Sequence, residues 1–180
     1  IKDLVTGGKG KRFVFEEGAY LLLFGELPTD TQLMEFQGRL SDCMELPTNF
    51  TRDVIMKAPT SDIMGSMTRS ILTLGSYDKE KESLEIPNVL RQSMQLIAVF
   101  PMLAVYAYHA YCHYEKNESM YIHRPEKDLS IAENFLRLLR PDTKFTELEA
   151  RVLDIALLLH SSPKTIQKYL AIIPEDQVPK

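Results

Sequence analysis

The chain has 180 residues, enough for one domain with a single core, and its 44% hydrophobic and 26% charged content excludes a disordered segment. A formal net charge of −4, a pI near 5.6 and the lack of any Lys/Arg-rich face argue against nucleic-acid binding. Two cysteines, Cys43 and Cys112, are too few for a disulfide framework and are expected to be reduced thiols in a cytoplasmic protein.

The opening residues Ile1-Lys2-Asp3 carry no signal-peptide pattern and no initiator Met, so the natural chain is expected to begin earlier. Helical periodicity recurs from there to the end, and strand-like alternation is nearly absent. The first helix covers Phe15 to Phe24, with acidic residues in its first turn, Gly25 as its stop and Pro28 beyond. It is apolar almost all round and is therefore expected to be buried. Thr29-x-x-Gln32 forms a capping box for a second helix, whose apolar stripe is Leu33, Phe36 and Leu40. A short helix is expected over Thr51 to Lys57. After Pro59 and Ser61 comes another, with the stripe Ile63, Met64, Met67, Ile71 and Leu74 and its stop at Gly75.

Ser76 to Glu85 reads as a solvated loop. A long helical run follows from Pro87 to about Tyr114, and a bend is expected at Pro101, where a backbone donor is lost. Its apolar stretch, Leu96 to Tyr108, is too short to span a bilayer, so no membrane partner is expected. Lys116 to Asp128 is a polar connection. Ser130-x-x-Glu133 caps a helix carrying Ile131, Phe135, Leu136 and Leu139, and Thr146-x-x-Glu149 caps one with Leu148, Val152, Ile155 and Leu159 on one face. Ser162-Pro163 starts a last short helix ending near Pro174. The fold class is all-α, with about eight helices.

The residues offer little independent chemistry. His109 and His113 stand four apart on one helix, a spacing that can present two metal ligands, with Cys112 and Glu115 nearby. No complete ligand set follows, and the neighbouring Tyr106, Tyr108, Tyr111 and Tyr114 suit a packing surface. The stretch Gly7-Gly8-Lys9-Gly10-Lys11 lacks the spacing of a phosphate loop. The methionines Met64 and Met67 read as packing residues. Glu16, Glu17, Glu80 and Glu82 are accounted for by a helix start and a solvated loop. His160, at the end of a helix, hints at a pocket edge.

Four segments nevertheless resemble one family, citrate synthase. Phe15 to Thr29, FEEGAYLLLFGELPT, is similar to the family's "FEE-x-AYLLL-x-GELPT"; Pro59 to Gly75 is similar to "hPMxhLRTAhSALG"; Asp128 to Leu136, DLSIAENFL, is similar to "DLSxAENFL"; and Leu153 to His160, LDIALLLH, is similar to "LDLxLILH". The resemblance covers residues 4–160 and marks them as the N-terminal part of the large domain, with 161–180 an atypical tail.

It implies an all-α, homodimeric parent enzyme that joins the acetyl group of acetyl-CoA to oxaloacetate, releasing citrate and CoA. In such enzymes an Asp takes a proton from the acetyl methyl while a His holds the enol, and a second His with several Arg residues polarises oxaloacetate. In the family "LILH" runs on into "ADHExNxST", whereas here His160 is followed by Ser161-Ser162-Pro163-Lys164. The "GPLHGG" and "GxGHxxY" blocks are absent from the sequence. No catalytic, substrate-binding, cofactor-binding or metal residue is therefore assigned. The expectation is a fragment of citrate synthase that acts as a scaffold and dimerisation unit, through the apolar stretch Leu96 to Tyr111. Its alternatives are a fragment of 2-methylcitrate synthase, a non-catalytic interaction or regulatory protein, and a metal-binding module using His109 and His113.

Overall fold

Helix α1, Val14–Phe24, begins where the backbone amides of Val14 and Phe15 find an external acceptor, and ends at Gly25, whose φ of 80° only glycine adopts freely. The computed structural model describes residues 12–161. Among them are five further α-helices: α2 (Asp30–Cys43), α3 (Ile63–Gly75), α4 (Ile86–Lys116), α5 (Ile131–Leu139) and α6 (Glu147–His160), with a π-helical turn at Thr51–Ile55 and no strand. The all-α expectation therefore holds. The glycine-rich stretch 7–11 and the expected helix after Ser162 lie outside the described residues.

All three capping boxes read from the sequence are formed. Thr29 Oγ1 accepts from the Gln32 amide and Gln32 Oε1 from the Thr29 amide. The same reciprocal pair joins Ser130 to Glu133 and Thr146 to Glu149, satisfying amides that a helix start leaves without partners. Asp62 caps α3 by accepting from the Gly65 amide.

The contacts divide the chain into two units. One contains the residues up to Phe36 together with those from Thr146, so that its helices α1 and α6 come from opposite ends of the described chain. Val14 and Leu158 form its buried centre, and Tyr20 and Phe24 each meet Phe36 edge to face. The other unit, Gln37 to Phe145, is organised around α4, against which α3, α5 and the π-helical turn all pack. Ala98, Val99, Leu103 and Ala110 of α4 are completely buried there, with Phe50, Ile55 and Leu138.

Several expectations need correction. The apolar residues at the end of α1, Leu22, Leu23 and Phe24, are exposed, because only the first half of the helix faces α6. Leu148, Val152 and Leu159 of α6 form a stripe, but it is the exposed one; the buried face is Ala150, Asp154 and Leu158. Met67 and Leu74 of the expected α3 stripe are buried, but Met64 points outward, and Ser66 and Ser70 share the buried face, Ser70 donating to the Ser66 carbonyl within the helix. The short helix near Thr51 is a single π-helical turn ending at Ile55, closed by the Met56 amide on the Thr51 carbonyl. Helix α4 runs unbroken through the buried Pro101 and reaches Lys116, where Asn117 caps it at φ 56°. It is longer than the apolar run within it and, by length and composition alone, apolar enough to cross a membrane.

Candidate functional site

The four motif segments fall into two groups. In the first unit Phe15–Thr29 meets Leu153–His160. The Asp154 carboxylate is buried and accepts from the Val14 amide at 2.9 Å (Oδ2) and the Phe15 amide at 2.9 Å (Oδ1). A carboxylate at these unsatisfied amides is a helix cap supplied from far along the chain, favoured by the positive end of the α1 dipole. Glu16 and Glu17 share that turn and are buried, not solvated. One turn further on, Gly18 lets the Leu158 side chain lie against the α1 backbone, where a Cβ would collide with Leu158 Cδ1.

In the second unit Asn134 is fully buried and ties down the approach to α5. Its Oδ1 accepts from the Glu126 amide at 2.9 Å and its Nδ2 donates to the Glu126 carbonyl at 2.9 Å. Gln37 and Ser41 of α2 donate to the Lys127 carbonyl from the other side. The motif residues that are placed therefore do structural work: they start helices and fix the segments that lead into them.

The histidines are each turned onto carbonyls. His109 is buried on α4, and its Nε2–H donates to the Leu138 carbonyl at 3.0 Å. His113 Nδ1–H donates to the Glu118 carbonyl at 2.7 Å, and His123 Nε2–H to the Pro141 carbonyl at 3.0 Å. A carbonyl only accepts, so each of these ring nitrogens carries its proton and is not free to bind a metal. Cys112 is buried, Glu115 is exposed, and no three His, Cys, Asp or Glu side chains converge among the described residues. His160 lies exposed at the end of α6, its Nδ1–H donating to the Ala156 carbonyl one turn back.

Other features escaped the sequence reading. Tyr106, taken as one packing tyrosine among four, donates its hydroxyl to the His123 carbonyl. Burial pushes the pKa of its hydroxyl up to about 12, partly offset by the charge of Arg124. Asp78, in the segment read as a solvated loop, accepts from Gln92 at 3.0 Å and from Arg91 at 2.8 Å. Those side-chain bonds, with the Glu80 amide, hold its carboxyl down at about 2. No signal local to either residue announces these partners, which arrive from an adjacent helix or loop.

The described residues form capped helices in two units, and no metal-ligand cluster converges among them. The family model described as "Citrate synthase, C-terminal domain" matches residues 1–162, and the chain belongs to the citrate synthase family. It is 29% identical over 162 residues to a 2-methylcitrate synthase of Shewanella oneidensis, covering 89% of this chain and 39% of that protein. It is 27% identical over 152 residues to a citrate synthase of Corynebacterium glutamicum, covering 82% and 33%. The citrate synthase structure from Pyrobaculum aerophilum superposes with a TM-score of 0.70 at 24% identity, over 84% of this chain and 38% of that one, a likeness of fold. The chain thus spans about two-fifths or less of these relatives' lengths.

Proposed function

We propose that this chain is the N-terminal part of the large domain of a citrate synthase-type acyltransferase, an enzyme that condenses acetyl-CoA with oxaloacetate to give citrate and CoA. Within it the chain serves as scaffold and dimerisation unit and holds no complete catalytic site of its own. The family match over residues 1–162 supports the citrate synthase part of this reading, and the order of the four motif segments supports the placement in the large domain. The dimer part rests on α4, where Val89, Leu96, Phe100 and Tyr108 recur along one face and are exposed. A 2-methylcitrate synthase parent is the second reading, favoured by the Shewanella relative, which aligns with 89% of this chain.

The test is CoA release from acetyl-CoA or propionyl-CoA with oxaloacetate, on this chain and on any longer product of the same gene. Turnover only in the longer product supports the reading, and the preferred acyl-CoA separates the two parents. Turnover by the chain alone would sink the scaffold role. Sedimentation reads the dimer: Phe100→Asp should shift the chain to monomer, and a strict monomer before substitution would overturn it.

A further inference from the structure

In the second unit the end of α2, the loop 44–50, the π-helical turn, α4 and the segment 122–127 enclose a cavity of about 680 Å³. That size suits a small organic molecule. Its floor is apolar: Met44, Phe50, Met102 and the Tyr106 ring are buried, and Ile122 stands exposed at the rim.

Two backbone features lie in its wall. Asn49 holds φ 62°, a left-handed conformation uncommon for a residue with a side chain, and the turn that follows, Thr51–Ile55, is π-helical. Both features gather at binding sites more often than in plain scaffold. The motif segments that define the family do not account for this wall.

The charges around the cavity are mostly neutralised. Lys127 Nζ lies 2.6 Å from Asp42, with Glu45 also acting on it; Arg52 pairs with Asp53 at 2.8 Å; and Glu126 pairs with Arg137 at 3.0 Å. Two lining charges, Glu45 and Arg124, have no ion pair among the described residues. Arg124 lines the cavity from an exposed position and has no carboxylate partner among the described residues. A planar fork of donors beside an apolar floor matches a carboxylate on a hydrocarbon or aromatic body.

We propose that this cavity is a binding site for a small apolar monocarboxylate, its body against Met44, Phe50, Met102 and Tyr106 and its carboxylate on Arg124. The site is independent of the condensation reaction proposed above, so either can fail alone. Calorimetric titration of the 180-residue chain with 3-phenylpropionate, 3-phenylpropanol and 3-phenylpropylamine tests it. The acid should bind saturably and about tenfold more tightly than the alcohol, the scale of one charge-assisted hydrogen bond, and the amine more weakly than both. Arg124→Gln should erase the difference between acid and alcohol, whereas Lys144→Gln, outside the cavity, should leave it. Ile122→Trp at the exposed rim should weaken acid and alcohol together. No saturable binding of the acid, equal affinity for acid and alcohol, or an unchanged acid affinity in Ile122→Trp would each overturn the proposal. An equal loss in Lys144→Gln and Arg124→Gln would mean general charge attraction and would overturn it too.

Discussion

Asp154 and Val14 stand 140 positions apart in the chain, and the carboxylate of the first accepts the backbone amide of the second at 2.9 Å in the buried centre of one unit. The adjacent Phe15 amide takes the other oxygen. Asp154→Ala should destabilise the chain by about 3 kcal/mol, since two amides at a helix start lose a charged acceptor. Asp154→Asn, which turns an NH2 group toward one of those amides, should cost roughly half as much. Denaturant unfolding of the three proteins checks the order; an Ala variant as stable as the parent would refute the capping role.

Gly18 sits where any Cβ meets Leu158 Cδ1. Gly18→Ala gains helix propensity, yet it should lower stability by about 1–3 kcal/mol, because overpacking exceeds that gain. Shortening the neighbour in the pair Gly18→Ala with Leu158→Val should recover part of the loss. A double-mutant cycle reads the coupling, and strict additivity would argue against the contact.

The Asp78 carboxyl, held at about 2 by Gln92, Arg91 and the Glu80 amide, lies below its ordinary value of 3.8. Its folded value is the depressed one, so its contribution to stability is complete above about pH 4 and fades as the pH falls toward 2. Thermal unfolding across that window should therefore show a shallower acid dependence in Asp78→Asn than in the parent. Identical profiles would mean that the anchor contributes nothing.

Zinc should leave the unfolding midpoint of the chain unchanged. The His109 and His113 ring nitrogens that donate to the Leu138 and Glu118 carbonyls carry protons, and no third ligand joins them among the described residues. A site binding the folded form would raise the midpoint with metal concentration, and such a rise would contradict this assignment.

Helix positions were legible because their signals are local. Thr29, Ser130 and Thr146 each bond to a residue three positions on, and Gly25 stops α1 by its own backbone freedom. Facing was less legible. On α6 the large residues Leu148, Val152 and Leu159 form a persuasive stripe, yet the helix turns its smaller Ala150 and charged Asp154 inward, because what faces α1 must reach its amides and fit beside Gly18. The cavity around Arg124 and Tyr106 left no trace in the sequence either: its walls come from three stretches of chain, 41–52, 102–106 and 122–127, and none carries a motif of its own.

The unit built from α1 and α6 has a consequence for the order of folding. Its two halves are separated by the whole of Gln37–Phe145, so a chain emerging from the ribosome makes α1 long before the Asp154 that caps it. Joining the two ends closes a loop of more than a hundred residues, a cost that shrinks if the intervening segment has already condensed around α4. Such non-local pairing slows folding, and α1 spends that interval with its first amides open to water or to another acceptor. Early synthesis thus hands the cell a nascent helix whose cap is translated 140 residues later.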